Sequence, residues 1–238
     1  MHDHLTRRAT LAAASLALLC GRAFAQAKSR IGIIGAGNIG ASVGGLWVKV
    51  GHPVMFSSRD PDELKDLVVK LGPLAHAGTV AQAIAYGDVL FIAVPYAALP
   101  QIGTDYKDAL KGKIMLDAGN AVPTRDGDAI TKEDDTNGTG ITSQKYLAGT
   151  RLVRAFNTMG AKIFETQSNR PDPKLAVPIA GDDPEAVRVA EGLVRDAGFD
   201  PVLAGGLSSA KKFQQRSPGA YGFQGSAAEL KAKLDATP

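Results

Sequence analysis

The chain has 238 residues, with 27 Lys and Arg against 24 Asp and Glu and a formal net charge of +3. The first 25 residues hold Arg7, Arg8 and Arg22 against Asp3, so the rest is nearly neutral and lacks the clustered basic face of a nucleic-acid binder. A hydrophobic share of 45% and a charged share of 21% describe a globular chain, and no apolar run after residue 25 reaches the ~18–20 residues that cross a bilayer.

Residues 1–25 read as an address. Arg7 and Arg8 precede the apolar run Leu11–Leu19, and Ala23-Phe24-Ala25 has the small-x-small pattern of a cleavage site. The paired arginines resemble a twin-arginine signal, which implies a periplasmic or secreted protein cut after Ala25. Cys20 is the only cysteine and lies in this leader, so the mature chain 26–238 has no thiol for a disulfide, a nucleophile or a metal site.

After the leader, Ile31–Ile34 is a short buried-strand pattern that runs directly into Gly35-Ala36-Gly37-Asn38-Ile39-Gly40, and a helix follows to about Val50. Residues 53–57 read as a second strand. Asp60-Pro61-Asp62-Glu63 opens a helix, with Asp60 as cap and acids in the first turn. A short helix over 79–86, a strand over 88–94, an interrupted helix over 96–110 and a strand over 113–117 come next. Residues 121–140, rich in Asp, Thr and Gly, read as a long polar loop. Regular structure resumes with strands near 151–156 and 175–180, a helix over 183–197 and a strand over 201–203, leaving room for one or two helices in the tail. Strands alternating with helices predict a single α/β domain: a doubly wound, mainly parallel sheet with helices on both faces.

Gly35-x-Gly37-x-x-Gly40 between a predicted strand and helix carries the chemistry. The first glycine makes the tight turn, the second lets backbone approach a pyrophosphate, and the third permits close helix–strand packing, as in a Rossmann-type dinucleotide site. At the end of the second strand an NAD site usually presents an acid. Here Ser58 and Arg59 stand there, suited to the 2′-phosphate of NADP. Two further strand ends reach the same crevice, at Val94-Pro95-Tyr96 and at Asp117-Ala118-Gly119-Asn120, where backbone groups and Asn120 can line the ribose and nicotinamide. His52 and His76 read as structural. No catalytic acid or base is expected, because hydride transfer depends on stacking and orientation.

IGIIGAGNIG, SSRDP, FIAVPY, VRAFNTMGA, AGDDPEA and GFDPVLAGGLSSAK follow in that order over residues 30–212. This succession resembles the NADP-dependent coenzyme F420 (deazaflavin) reductase family, and is similar to the reductase domain of the six-transmembrane metalloreductases. The resemblance implies that Ala36, Gly37, Asn38 and Ile39 hold pyrophosphate and ribose, and that Ser58 and Arg59 hold the 2′-phosphate. It further implies that Val94 and Tyr96 lie along the nicotinamide ribose, and that Ala155, Asn157, Thr158, Met159 and Leu207 border the nicotinamide and the second substrate. The implied activity is hydride transfer between NADP(H) and a deazaflavin, flavin or similar small-molecule acceptor, with a homodimer left open. The alternative is a non-catalytic NADP-binding module or partner subunit. An imino-acid reductase or hydroxyacid dehydrogenase would carry a large helical second domain, for which the tail has no room.

Overall fold

The computed structural model describes residues 28–238, so the leader expected over 1–25 lies outside the described residues. The elements are β1 (Ile31–Ile34), α1 (Asn38–Lys49), β2 (Val54–Ser57), α2 (Lys65–Leu71), β3 (Ala75–Gly78), α3 (Val80–Tyr86), β4 (Val89–Ile92), α4 (Leu99–Asp105), α5 (Lys107–Leu110), β5 (Ile114–Asp117), α6 (Pro123–Asp126), α7 (Asp128–Asn137), α8 (Thr139–Tyr146), β6 (Arg151–Arg154), α9 (Ala161–Gln167), β7 (Ala176–Gly181), α10 (Pro184–Asp196), β8 (Asp200–Gly205) and α11 (Ala227–Ala236), with 3-10 turns at Pro61–Leu64, Tyr96–Ala98 and Leu207–Phe213.

All eight strands join one sheet in the order β3-β2-β1-β4-β5-β6-β7-β8. The first six run parallel, which matches the expected doubly wound architecture and puts the reversal of strand order between β1 and β4. The pair β7–β8 is internally parallel, but β7 meets β6 antiparallel, so the last two strands end at the opposite edge of the sheet.

Residues in β1 and β4 are buried throughout, as a strand covered on both faces requires. An aromatic chain fills the layer between α1 and the sheet: Trp47 meets Phe91 edge-on at 5.1 Å, Phe156 meets Phe164 at 5.4 Å, and Phe164 meets Phe199 at 5.6 Å. Each such pair adds about 0.5–1.5 kcal/mol beyond the area it buries. The Trp47 indole N–H donates to the Leu193 carbonyl at 2.8 Å, tying α1 to α10.

Local signals act where the sequence places them. Asp60 accepts from the Asp62 N–H at 3.1 Å, Thr79 and Gln82 form a capping box, and the Asp183 carboxylate caps α10 through Glu185 and Ala186 N–H groups. His52 is structural, tying the end of α10 to the segment before β1 between the Ser29 carbonyl and Asp196. Two elements escape the reading: β3, whose Ala-His-Ala-Gly sequence has little strand character, and the short helix α9.

The expected polar loop over 121–140 is corrected to three helices, α6, α7 and the start of α8. Gly127 and Gly138, at φ 85° each, separate them. The acids that made the segment look solvated are engaged: Glu133 takes Lys145 and the Tyr146 hydroxyl, Asp135 takes Arg216, and Asp126 is fully buried at the side chain. Asp134 is buried too, and one of its carboxylate oxygens has no partner. Burial pushes this carboxyl above its ordinary value, against the pull of nearby Arg154. A raised carboxyl favours the fold while protonated, and that contribution is lost as pH rises through the folded value. The Asp134→Asn variant is therefore expected to gain on the wild type as pH rises above the ordinary carboxylate range, by about 2–4 °C in Tm per kcal/mol relieved. Thermal melts across that rise check it; a gap independent of pH contradicts it.

Candidate functional site: a dinucleotide cleft

Gly35 takes φ +94°, and a Cβ there would lie 2.7 Å from the Ala93 carbonyl oxygen, so only glycine makes this turn. The Ala36 N–H donates to the Ser57 carbonyl at 2.9 Å, seating the turn against the end of β2. Gly40 lies against the turn itself; a Cβ would meet the Gly35 oxygen at 2.1 Å. Gly37 differs, since a Cβ there would meet nothing within 4 Å. The first helical hydrogen bond runs from Ala41 to Gly37 at 2.8 Å, so the N–H groups of Asn38, Ile39 and Gly40 precede it at the helix start. No side chain caps this helix and no acid stands in its first turn. The result is a twelve-residue helix aiming a positive dipole end at an open space, with exposed Gly37 and Asn38 at its tip.

A cleft of about 390 Å³ starts at Asn38 and Ile39 and crosses the ends of β4, β5 and β6 past Val94, Pro95, Asn120, Asn157 and Met159. Its floor is fixed by a buried ion pair. Arg154 at the end of β6 donates through Nη1 to Asp117 at the end of β5, and both side chains are fully buried. Arg154 Nη2 donates to the Gly119 carbonyl, while the Gly119 N–H donates to Asp117 Oδ1 at 2.7 Å. The loop after β5 is thereby locked, presenting Asn120, whose amide donates to the Asn157 carbonyl at 2.7 Å. Asn157 follows Phe156, which holds φ 61°. Such a backbone is uncommon for a bulky residue and is held here by the aromatic core. Asn157 is buried, and its Oδ1 has no partner.

Other candidate residues stand elsewhere. Arg59 is exposed beyond β2, beside the glycine turn and outside the cleft, and the Ser58 hydroxyl donates to the Asp60 carbonyl. The Tyr96 phenol points away from the expected ribose position: the ring is fully buried and its hydroxyl meets Ser143 at 2.9 Å and the Thr139 carbonyl at 3.2 Å. Burial pushes this phenol far above its ordinary range. Ala155 and Thr158 are buried behind the cleft wall. Leu207 packs in the core with Ile34, Ile92 and Leu152 and borders a separate hollow with Asp182 and Thr150, because β7 and β8 run opposite to β6 and deliver it near the start of that strand. Sequence reasoning missed Arg125, Gln215 and Tyr221, which form the far wall. They lie in the segment read as a loop and in the tail, where no motif marks them.

Residues 30–121 match the family model described as NADP oxidoreductase, coenzyme F420-dependent. The chain is 25% identical over 196 residues to the F420-dependent NADP reductase of Methanothermobacter marburgensis, covering 77% of this chain and 87% of the relative. The chain resembles the F420-dependent NADP reductases. It is also 28% identical over 192 residues to Metalloreductase STEAP3 of Rattus norvegicus, and there it spans only 36% of the relative's length. Among solved structures, a hypothetical protein from Sinorhizobium meliloti superposes with a TM-score of 0.72 at 25% identity, covering 84% of this chain and 95% of that one. The F420-reductase resemblance thus covers the glycine turn, the Ser58-Arg59 corner and the floor of the cleft up to Ala121.

Proposed function

We propose that this chain is an exported NADPH-dependent oxidoreductase that moves hydride between NADP(H) and a deazaflavin, flavin or similar acceptor. The observation that carries this reading is the continuity of the site: the uncapped tip of α1, with open space at Gly37, leads directly into the cleft over β4, β5 and β6. An anion fits the first part and a flat ring the second. Asn38, Ile39 and the Gly37 backbone hold the pyrophosphate, Ser58 and Arg59 reach the 2′-phosphate, and Val94, Asn120, Asn157 and Met159 orient the nicotinamide end. When bound, the dihydronicotinamide supplies a hydride, two electrons with one proton, and the acceptor takes any further proton from water. The chain's own contribution is to hold both rings in register and exclude water between them. Export follows from Arg7-Arg8 and Ala23-Phe24-Ala25, and N-terminal sequencing of the exported form is expected to begin at Gln26. Among the described residues no helix is long and apolar enough to cross a membrane.

NADPH oxidation against deazaflavin, flavin and ferric acceptors tests the reading. NADPH binding without turnover of any acceptor would instead support a non-catalytic module. Cofactor choice is tested at Arg59. A hydrogen bond to a charged group is worth about 1.5–3 kcal/mol, so Arg59→Ala is expected to weaken NADPH binding about tenfold to a hundredfold. Asp62 and Glu63 nearby favour the lower end. NADH, without the 2′-phosphate, is expected to change little. Both dissociation constants are to be measured at one salt concentration; an equal loss for the two cofactors removes Arg59 from the phosphate.

A further inference from the structure

The far wall of the cleft comes from two segments beyond residue 121, where the family model ends. One carries Arg125, the other Gln215 and Tyr221. Arg125 is held rigidly. Its Nε lies 3.1 Å from both Asp126 oxygens, and its Nη2 donates to Asp126 at 2.8 Å and to the Asn120 carbonyl at 2.6 Å. Nη1 has no partner among the described residues, and the side chain is 46% exposed. Asp126 is itself anchored by the Val122 N–H at 2.7 Å and the Ala97 N–H at 3.1 Å. Burial pushes its carboxyl up, but the Arg125 hydrogen bonds and these two N–H groups outweigh that and hold it below its ordinary value. A cation thus stands at the cleft rim with one edge of the guanidinium to spare.

The second segment is equally fixed. Gln214 accepts from the Thr139 N–H at 2.9 Å, Arg216 donates to the Ala121 carbonyl at 2.6 Å, and the Gly222 N–H donates to the Thr158 carbonyl at 2.9 Å. Between these pins Tyr221 offers a half-exposed ring, and Gln215 Oε1 is buried without a partner. A volume of about 390 Å³ is near the lower end for a single ligand, and on the proposed function it takes the nicotinamide end as well.

We propose that Arg125 and Tyr221 set acceptor specificity, selecting a compact planar hydride acceptor that carries an anionic oxygen group on its ring. Tyr221 supplies a face for the ring, and Arg125 Nη1 pairs with the anionic oxygen while also favouring the negative charge that arrives with the hydride.

The proposal rests on the cofactor reading, so the test separates them. The full chain is first titrated with NADP+ alone. The loaded protein is then titrated calorimetrically with naphthalene-2-sulfonate and with naphthalene-2-sulfonamide, which share a ring and differ in charge. The sulfonate is expected to bind tighter. Arg125→Gln is expected to weaken the sulfonate about tenfold to a hundredfold, the sulfonamide less than threefold and NADP+ less than twofold. Tyr221→Ala is expected to weaken both ring probes by a similar factor. In turnover, 1,2-naphthoquinone-4-sulfonate should show a raised KM in Arg125→Gln, with the neutral 2-methyl-1,4-naphthoquinone unaffected. Absence of a preference for the sulfonate in the wild type, failure of both probes to bind the loaded protein, or equal losses for both probes in Arg125→Gln overturns the acceptor wall while leaving NADP+ binding intact. A parallel loss of NADP+ affinity in Arg125→Gln assigns the residue to the cofactor and overturns the proposal as well.

Discussion

Gly37→Val is expected to lower NADPH affinity by at least about a hundredfold while the fold persists. A Cβ at Gly37 meets no protein atom within 4 Å, and its φ of −72° is ordinary for any residue. The branched side chain instead occupies the volume in front of the α1 tip. Two charge-assisted hydrogen bonds from backbone N–H groups, at about 1.5–3 kcal/mol each, account for the loss. Gly40→Ala is the contrasting variant. Its Cβ would press on the Gly35 oxygen at 2.1 Å, so the turn itself must shift. Overpacking of this kind costs about 1–3 kcal/mol, or roughly 2–4 °C in Tm for each kcal/mol. Calorimetry with NADPH and circular-dichroism melts separate the two. Undiminished NADPH affinity in Gly37→Val would remove the phosphates from this helix.

The second large effect is expected at the ion pair under the cleft. Removing one partner, as in Asp117→Ala or Arg154→Met, strands a fully buried charge and costs about 3–5 kcal/mol. The corresponding fall in Tm is about 6–20 °C. Replacing both, as in Asp117→Leu with Arg154→Met, is expected to recover much of that stability, because well-packed apolar residues often match a buried pair. Cofactor binding should not recover with it. Gly119 loses anchors at both its N–H and its carbonyl, and Asn120 loses its fixed position. Urea melts and NADPH titration of the three variants check this; full binding in the double variant would show that the pair serves stability alone.

What the sequence reveals depends on whether a signal is local. The glycine turn and the Asp60 cap depend on neighbours within a few residues, and the structure contains both. The helices over 123–146 depend on distant partners. Their acids look solvated until Lys145, Arg216 and the Ala97 N–H meet them, so composition alone reads a loop. Strand direction is similarly invisible: β7 has the same apolar pattern parallel or antiparallel, and its reversal carries Leu207 to the starts of the parallel strands, away from the cleft. Tyr96 stands at a strand end as expected, but a tyrosine there can turn into the core if a carbonyl and a hydroxyl meet it, as Thr139 and Ser143 do.

The route of the chain after β6 sets an order of assembly during synthesis. The glycine turn and all six parallel strands have been made once Asn157 has emerged, and each strand after the first pairs with one made before it. The far wall waits for Gln215 and Tyr221, which return to the cleft only after β7, β8 and the 3-10 turn have been made. The layer over α1 also waits, because Phe164 and Phe199 pack on Phe156, and Leu193 accepts from Trp47, only after β6 has been made. A chain at that stage has the helix tip and the part of the cleft lined by Asn120 and Arg125, but not Gln215 and Tyr221. The wall that carries Gln215 and Tyr221 is therefore the last part of the cleft to be made.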